Sequence, residues 1–213
     1  IAMVNIQYNI IKAYFEKMDF PIEEKPFKIN LLGIRNAHVA GKYSDTMCCF
    51  FTNKNGDIYW RQYPCSTVPT GYWLLHPMQK AGCAVVAEGH HPHIWIPGMH
   101  KGKYPGLLQT GGDIVVYRDN SKDLNIDLDP KTKVKGRFGV NMHPFWNYAD
   151  QAKDQSSAGC QVLDKVHVGE ILECCKLDKQ VNKTAAFSYT LIKSEEFQTF
   201  VKEEFNFKNF TLR

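Results

Sequence analysis

No apolar run in this sequence reaches the length needed to cross a bilayer, so it predicts no transmembrane segment. Cys-x-x-Cys is absent, which argues against a structural zinc site and against thioredoxin-like redox chemistry. The opening Ile1-Ala-Met-Val4 lacks the basic, apolar and small-residue order of a secretory signal, so work outside a cytoplasm would rest on another export route or a removed leader. Charge of one sign is scarce. With 26 basic and 22 acidic residues the net charge is +4, enough for only weak attraction to anionic polymers. No basic cluster alternates with stacking aromatics, so a nucleic-acid partner is not expected. Internal repeats, low-complexity tracts and a convincing linker are also missing.

What is present is ordinary globular composition: 213 residues, 44% hydrophobic and 23% charged, enough to bury a substantial core. Seven cysteines, an odd number, exclude a complete set of intrachain disulfides. Two adjacent pairs, Cys48-Cys49 and Cys174-Cys175, do not suit a spaced disulfide framework. All but Cys160 read as reduced, buried thiols.

Met3, Ile6, Ile10, Tyr14 and Met18, widened by Ile11 and Phe15, form an apolar stripe at helical spacing. That helix ends near Phe20, because Pro21 disfavours helical geometry in the residue before it. From Lys28 the character turns to β. Ile29–Ile34, Thr46–Phe51 and Ile58–Tyr63 read as strands, the last two joined by an Asn55-Gly56 hairpin turn. Further strands are expected at 71–75, 83–87, 93–96, 113–118, 137–142 and 187–192. A helix is expected around Val168–Cys175, weakened by Gly169. Ser194 is placed to cap a last helix carrying Phe197, Phe200, Val201 and Phe205 on one face. The fold class is thus mainly β, a sandwich or barrel with peripheral N- and C-terminal helices. Residues 1–27 form a helical extension and 28–213 the main domain.

The chemistry-bearing stretch is Gly139-Val-Asn-Met-His143 followed by Ser156-Ser-Ala-Gly-Cys160. A thiol nucleophile needs a base and donors for the oxyanion it creates. His143 would take the Cys160 proton, giving a thiolate–imidazolium pair. Gly159 permits a sharp turn, amides near Gly159 and Cys160 would face the oxyanion, and Ser157 would orient the imidazole or hold the turn. From spacing alone the alternative stays open: a buried thiol after a glycine turn, with His143 bonded to backbone. Asn141, two residues before His143 on the same strand face, would line the site and contact substrate. Tyr72 or Trp73 would line a cleft, or else lie in the core.

Ser157-Ala-Gly-Cys160 with His143 upstream resembles the Ser-His-Gly-Cys signature of the L,D-transpeptidase catalytic domain. Independently, Tyr63-Pro-Cys-Ser-Thr-Val-Pro-Thr-Gly-Tyr-Trp73 resembles that family's Ser-Thr-Gly…Thr-Pro-Thr-Gly-x-Phe segment, and like it follows a hairpin. The resemblance spans roughly residues 28–192 and is nearest to a divergent bacteriophage and prophage group. It implies an L,D-transpeptidase-like domain without a cofactor. In it, Cys160 and His143 act on peptidoglycan stem peptides through an acyl-enzyme at the bacterial cell wall. It tilts the outcome towards hydrolysis by a lytic or virion-associated enzyme. The departures are Ala158 where a second histidine is usual, Pro144 where glycine is usual, and Gln161-Val162 where an apolar residue and an arginine are usual. They leave the substrate contacts open, and keep alive a wall-binding or virion structural module without turnover. A Cys–His hydrolase or acyltransferase of another substrate also remains.

His90-His91-Pro92-His93, with His100 beyond, has poor metal-ligand spacing and reads instead as a polar loop over the cleft. Asp119–Asp129 lacks the glycine and closing glutamate of a calcium loop and reads as an Asp-rich surface turn. No metal is expected.

Overall fold

A computed structural model describes residues 2–36, 43–146, 153–208 and 210–212. Among them are eleven strands in two sheets and four α-helices. No helix of the described residues is long and apolar enough to cross a membrane.

The larger sheet closes on itself as an eight-stranded barrel. Its first three strands are β1 (Asn30–Arg35), β2 (Asp45–Thr52) and β3 (Ile58–Ser66). β2 and β3 form the hairpin expected at Asn55-Gly56. Gly56 adopts φ +81°, while the Asn53 side-chain oxygen accepts from the amides of Asn55 and Asp57. Alternation explains why β2 reads as one apolar run. Met47, Cys49 and Phe51 join the barrel-side core, and Cys48 and Phe50 join a second core on the outer flank. Both faces of this strand are covered.

That flank is covered by helices α1 (Ala2–Lys17) and α4 (Ser194–Phe205). The buried stripe of α1 differs from the expected one: Tyr8, Ile10, Ile11, Tyr14 and Phe15 are buried, whereas Met3, Ile6 and Met18 are exposed. Tyr14 stands edge-on to both Phe197 and Phe200 of α4, which rotates the contact face towards position 14. The cap of α4 is Lys193, not Ser194, and no side chain caps it. Glu195 and Glu196 in its first turn complement the helix dipole instead.

β5 (Gly89–His100) and β6 (Tyr104–Leu108) form a second barrel hairpin. Its tight turn, Lys101-Gly102, has positive φ at both residues. The barrel is completed by β9 (Met142–Pro144), β10 (Gln161–Leu163) and β11 (Phe187–Lys193). Helix α3 (Lys165–Asn182) buries Val168, Ile171, Cys174 and Cys175 against the barrel-side core, and the Asp164 carboxylate caps it by accepting from the Val166 amide. A separate sheet pairs β4 (Cys83–Val86), β7 (Ile114–Asp119) and β8 (Val134–Gly136).

Two expected strands are absent. Residues 71–75 form a short helix, α2 (Gly71–Leu75). Aromatic strand propensity is overridden because the Tyr72 amide donates to the Asp154 carbonyl, and those of Trp73 and Leu74 donate to Thr70. Residues 137–141 connect β8 to β9 rather than forming one strand. Gly139 turns at φ +68°, and the amides of Phe138 and Val140 donate to the Gln109 side chain, not to a neighbouring strand.

Candidate active site

Cys160 lies immediately before β10, and His143 is the central residue of β9. The two strands run parallel with Val162 opposite His143. This pairing brings residues seventeen positions apart onto the wall of one cavity of about 180 Å³. Cys160 is half-buried and the other six cysteines are buried, none of the seven in a disulfide.

The turn that carries Cys160 is built from the Ser-Ala-Gly-Cys run. The Ser157 hydroxyl donates to the Cys160 carbonyl at 2.7 Å and accepts from the Gly159 amide at 3.0 Å. Thr70 clamps the turn from α2, its amide donating to the Ser157 carbonyl. Gly159 has φ +145°, and an added Cβ would stand 2.1 Å from the Ala84 carbonyl oxygen. Both conditions call for glycine. Ser157 therefore holds the turn and does not bond the imidazole. The Gly159 amide is engaged by Ser157, so it is not the free oxyanion donor expected from sequence; the Cys160 amide has no partner among the described residues.

His143 is fixed in one tautomer. Its Nδ1 lies 2.8 Å from the Pro144 carbonyl, which only accepts, so Nδ1 carries the proton and Nε2 keeps its lone pair. The ring is buried among aromatics. His100, at the end of β5, stacks on it with centroids 3.9 Å apart and planes 10° apart, and Trp146 stacks at 5.3 Å. Asn141 does not reach into the cavity as expected but braces this stack. Its side-chain oxygen accepts from the Gln109 amide, which directs its NH2 to His100 Nδ1 at 2.9 Å. His100 is thus an acceptor at Nδ1, and its proton sits on Nε2. Position 100 was grouped by sequence with His90–His93, and its place beside His143 went unseen. The Lys101-Gly102 turn signal was the available clue, because that hairpin carries His100 back to β9.

The electrostatics differ from the expected ion pair. Burial pushes the Cys160 thiol up to about 11, against a smaller opposing effect of the Asn141 amide, which donates to the sulfur at 3.4 Å. Burial, then the neighbouring His100, pushes His143 down to about 4. At neutral pH the resting pair is thiol and imidazole, both uncharged. The thiol points its proton at the Gly139 carbonyl, 3.5 Å away, and no hydrogen bond joins it to His143.

Trp73 lines the cavity, whereas Tyr72 packs on Trp73 and His76 and does not. Gln161 is buried, bonded to Tyr189, and makes no substrate surface. The His90–His93 segment is no loop over the cleft but part of β5. His90 Nδ1 pairs with the Thr190 hydroxyl, buried His91 pairs with the Ala87 carbonyl, and neither lines the cavity. Asp119 is buried and bonds the Ser121 and Asp127 amides, bracing the Asp-rich turn. Among the described residues no three or more His, Cys, Asp or Glu side chains are grouped to hold a metal ion. No protein-family model and no curated protein matches the chain.

Proposed function

We propose that this chain is an L,D-transpeptidase-like enzyme in which Cys160 attacks peptidoglycan stem peptides. The observation that carries the reading is the shared cavity wall: a half-buried thiol and an imidazole whose Nε2 lone pair is freed by the Nδ1–Pro144 bond. The barrel and the order of the two sequence motifs along it suit that family.

Because both groups rest uncharged, proton transfer accompanies attack. Substrate entry turns the thiol away from the Gly139 carbonyl, and His143 Nε2 takes its proton as the sulfur bonds to the peptide carbonyl carbon. The oxyanion meets the Cys160 amide, a donor of a kind worth about 3 kcal/mol of barrier. The C–N bond then breaks, and the leaving amine takes the proton from His143. Water or a second amine resolves the thioester; the resemblance to phage-borne members of that family favours water. Burial, helped by the nearby Lys101 ammonium, disfavours a charge on His143, so the imidazolium gives its proton up readily.

The test is to incubate the protein and its Cys160→Ala variant with purified muropeptides and to read products by mass spectrometry. Loss of a stem residue or cleavage of a crosslink marks hydrolysis, and a heavier exchanged product marks transfer. The absence of any bond between thiol and imidazole favours a second reading, a wall-binding module without turnover. Binding with no product from either protein, across several peptidoglycan types, would establish that module instead.

A further inference from the structure

We infer that the cavity beside Cys160 contains a carboxylate-binding subsite built on Arg118, so that the substrate presents a free carboxylate away from the attacked carbonyl. The inference rests on the reading of the cavity as a substrate site.

Arg118 ends the row Ile114, Val116, Arg118 along one face of β7. The first two belong to the barrel-side core, and the third reaches the cavity wall. The neighbouring Asp119 takes the opposite face and is engaged by Ser121 and Asp127, so it does not neutralise Arg118. No carboxylate pairs with the Arg118 guanidinium among the described residues. What holds it is a single bond to the Gly82 carbonyl at 3.2 Å and the face of Phe138, 4.6 Å away. The guanidinium is therefore oriented by stacking, with most of its N–H fork left for a ligand.

The cavity around it has a marked bias of sign. Lys101 lines the cavity as well, its ammonium 5.5 Å from the Trp146 ring, and among the described residues no Asp or Glu lines it. The whole chain is nearly balanced, 26 basic residues against 22 acidic ones, so this bias is local. Two cations in a confined cleft focus a positive potential that selects an anionic substrate. The planar fork of Arg118 suits a carboxylate, held through paired N–H···O bonds. Position 162, where the resembling family usually has arginine, is here a buried valine in β10. Arg118 supplies a cation from another strand.

The experiment titrates the Cys160→Ala protein by calorimetry with a muropeptide carrying free stem carboxylates and with the same muropeptide amidated. The expected result is at least tenfold tighter binding of the free-carboxylate form. Arg118→Gln abolishes that preference and Arg118→Lys, which keeps charge and loses the fork, retains part of it. Equal affinity for the two forms, or a preference undiminished in Arg118→Gln, overturns the proposal. If neither muropeptide binds, the peptidoglycan reading has failed. The subsite is then decided by protection of Cys160 from iodoacetamide in the otherwise native protein, comparing N-acetylglycine with N-acetylglycinamide. Stronger protection by the acid, lost in Arg118→Gln, sustains the carboxylate subsite on a different substrate; equal protection overturns it.

Discussion

At the scale of single residues, the site is governed by how burial divides charge. The sulfur of Cys160 is reachable yet held as a thiol, so its advantage over the six buried cysteines comes from access and not from ionisation. Iodoacetamide should label Cys160 first at neutral pH. Its rate should keep climbing beyond pH 9 instead of levelling off near neutrality, as mapped by peptide mass spectrometry across a pH series. A plateau by pH 7 would reveal a preformed thiolate. Gly159 is the other residue on which the site depends. Gly159→Ala forces a side chain onto the Ala84 carbonyl at a backbone angle it rarely adopts. The expected loss is on the order of 1–3 kcal/mol in urea unfolding, together with loss of turnover. Cys160, His143 and Gly159 do share one cavity wall, and that they would come together was legible in the sequence. The partners of Ser157 and Asn141 were not, since an amide or hydroxyl bonds whatever the fold delivers, and here that was backbone and His100.

At the scale of elements, the runs with clear periodicity emerged where the pattern placed them. Thr46–Phe51, Ile58–Tyr63 and Phe187–Ile192 are strands, and Val168–Cys175 lies within α3. Residues 71–75 failed because contacts with Asp154 and Ser157 shape them, and those contacts lie more than eighty residues away. β6 and β10 are short, and their pairing partners are fixed by barrel closure, which no local window reveals. The weak point noted in α3 remains one. Gly169 sits in the helix with open space where a Cβ would go. Gly169→Ala should raise stability by about 0.5–1 kcal/mol, seen as a higher urea midpoint with unchanged slope. An unchanged or lower midpoint would contradict an unstrained, solvent-facing position.

At the scale of the molecule, four histidines tie stability to pH. His91 and His143 are pushed down to about 4 by burial, and burial also lowers His90 and His100. Below pH 6.5 the unfolded chain binds protons that the folded chain refuses, so stability is full above that value. It drains away as pH falls towards 4. A ring held neutral from its usual 6.5 down to about 4 contributes roughly 3 kcal/mol to this loss. Urea midpoints between pH 7 and 4 should fall steadily, and His91→Gln should flatten the slope. A flat profile in the parent protein would mean that these rings charge in place.

The docking of α1 alters what the helical extension is. Tyr8, Ile11 and Phe15 share their core with Phe50 and Trp60 of the barrel, so the first turns of the chain act as a gasket on its outer flank. A fragment cut at residue 28 would open a greasy seam along β1, β2 and β3. It should come out of expression as aggregate, or rescue itself when the peptide of residues 1–27 is supplied in trans.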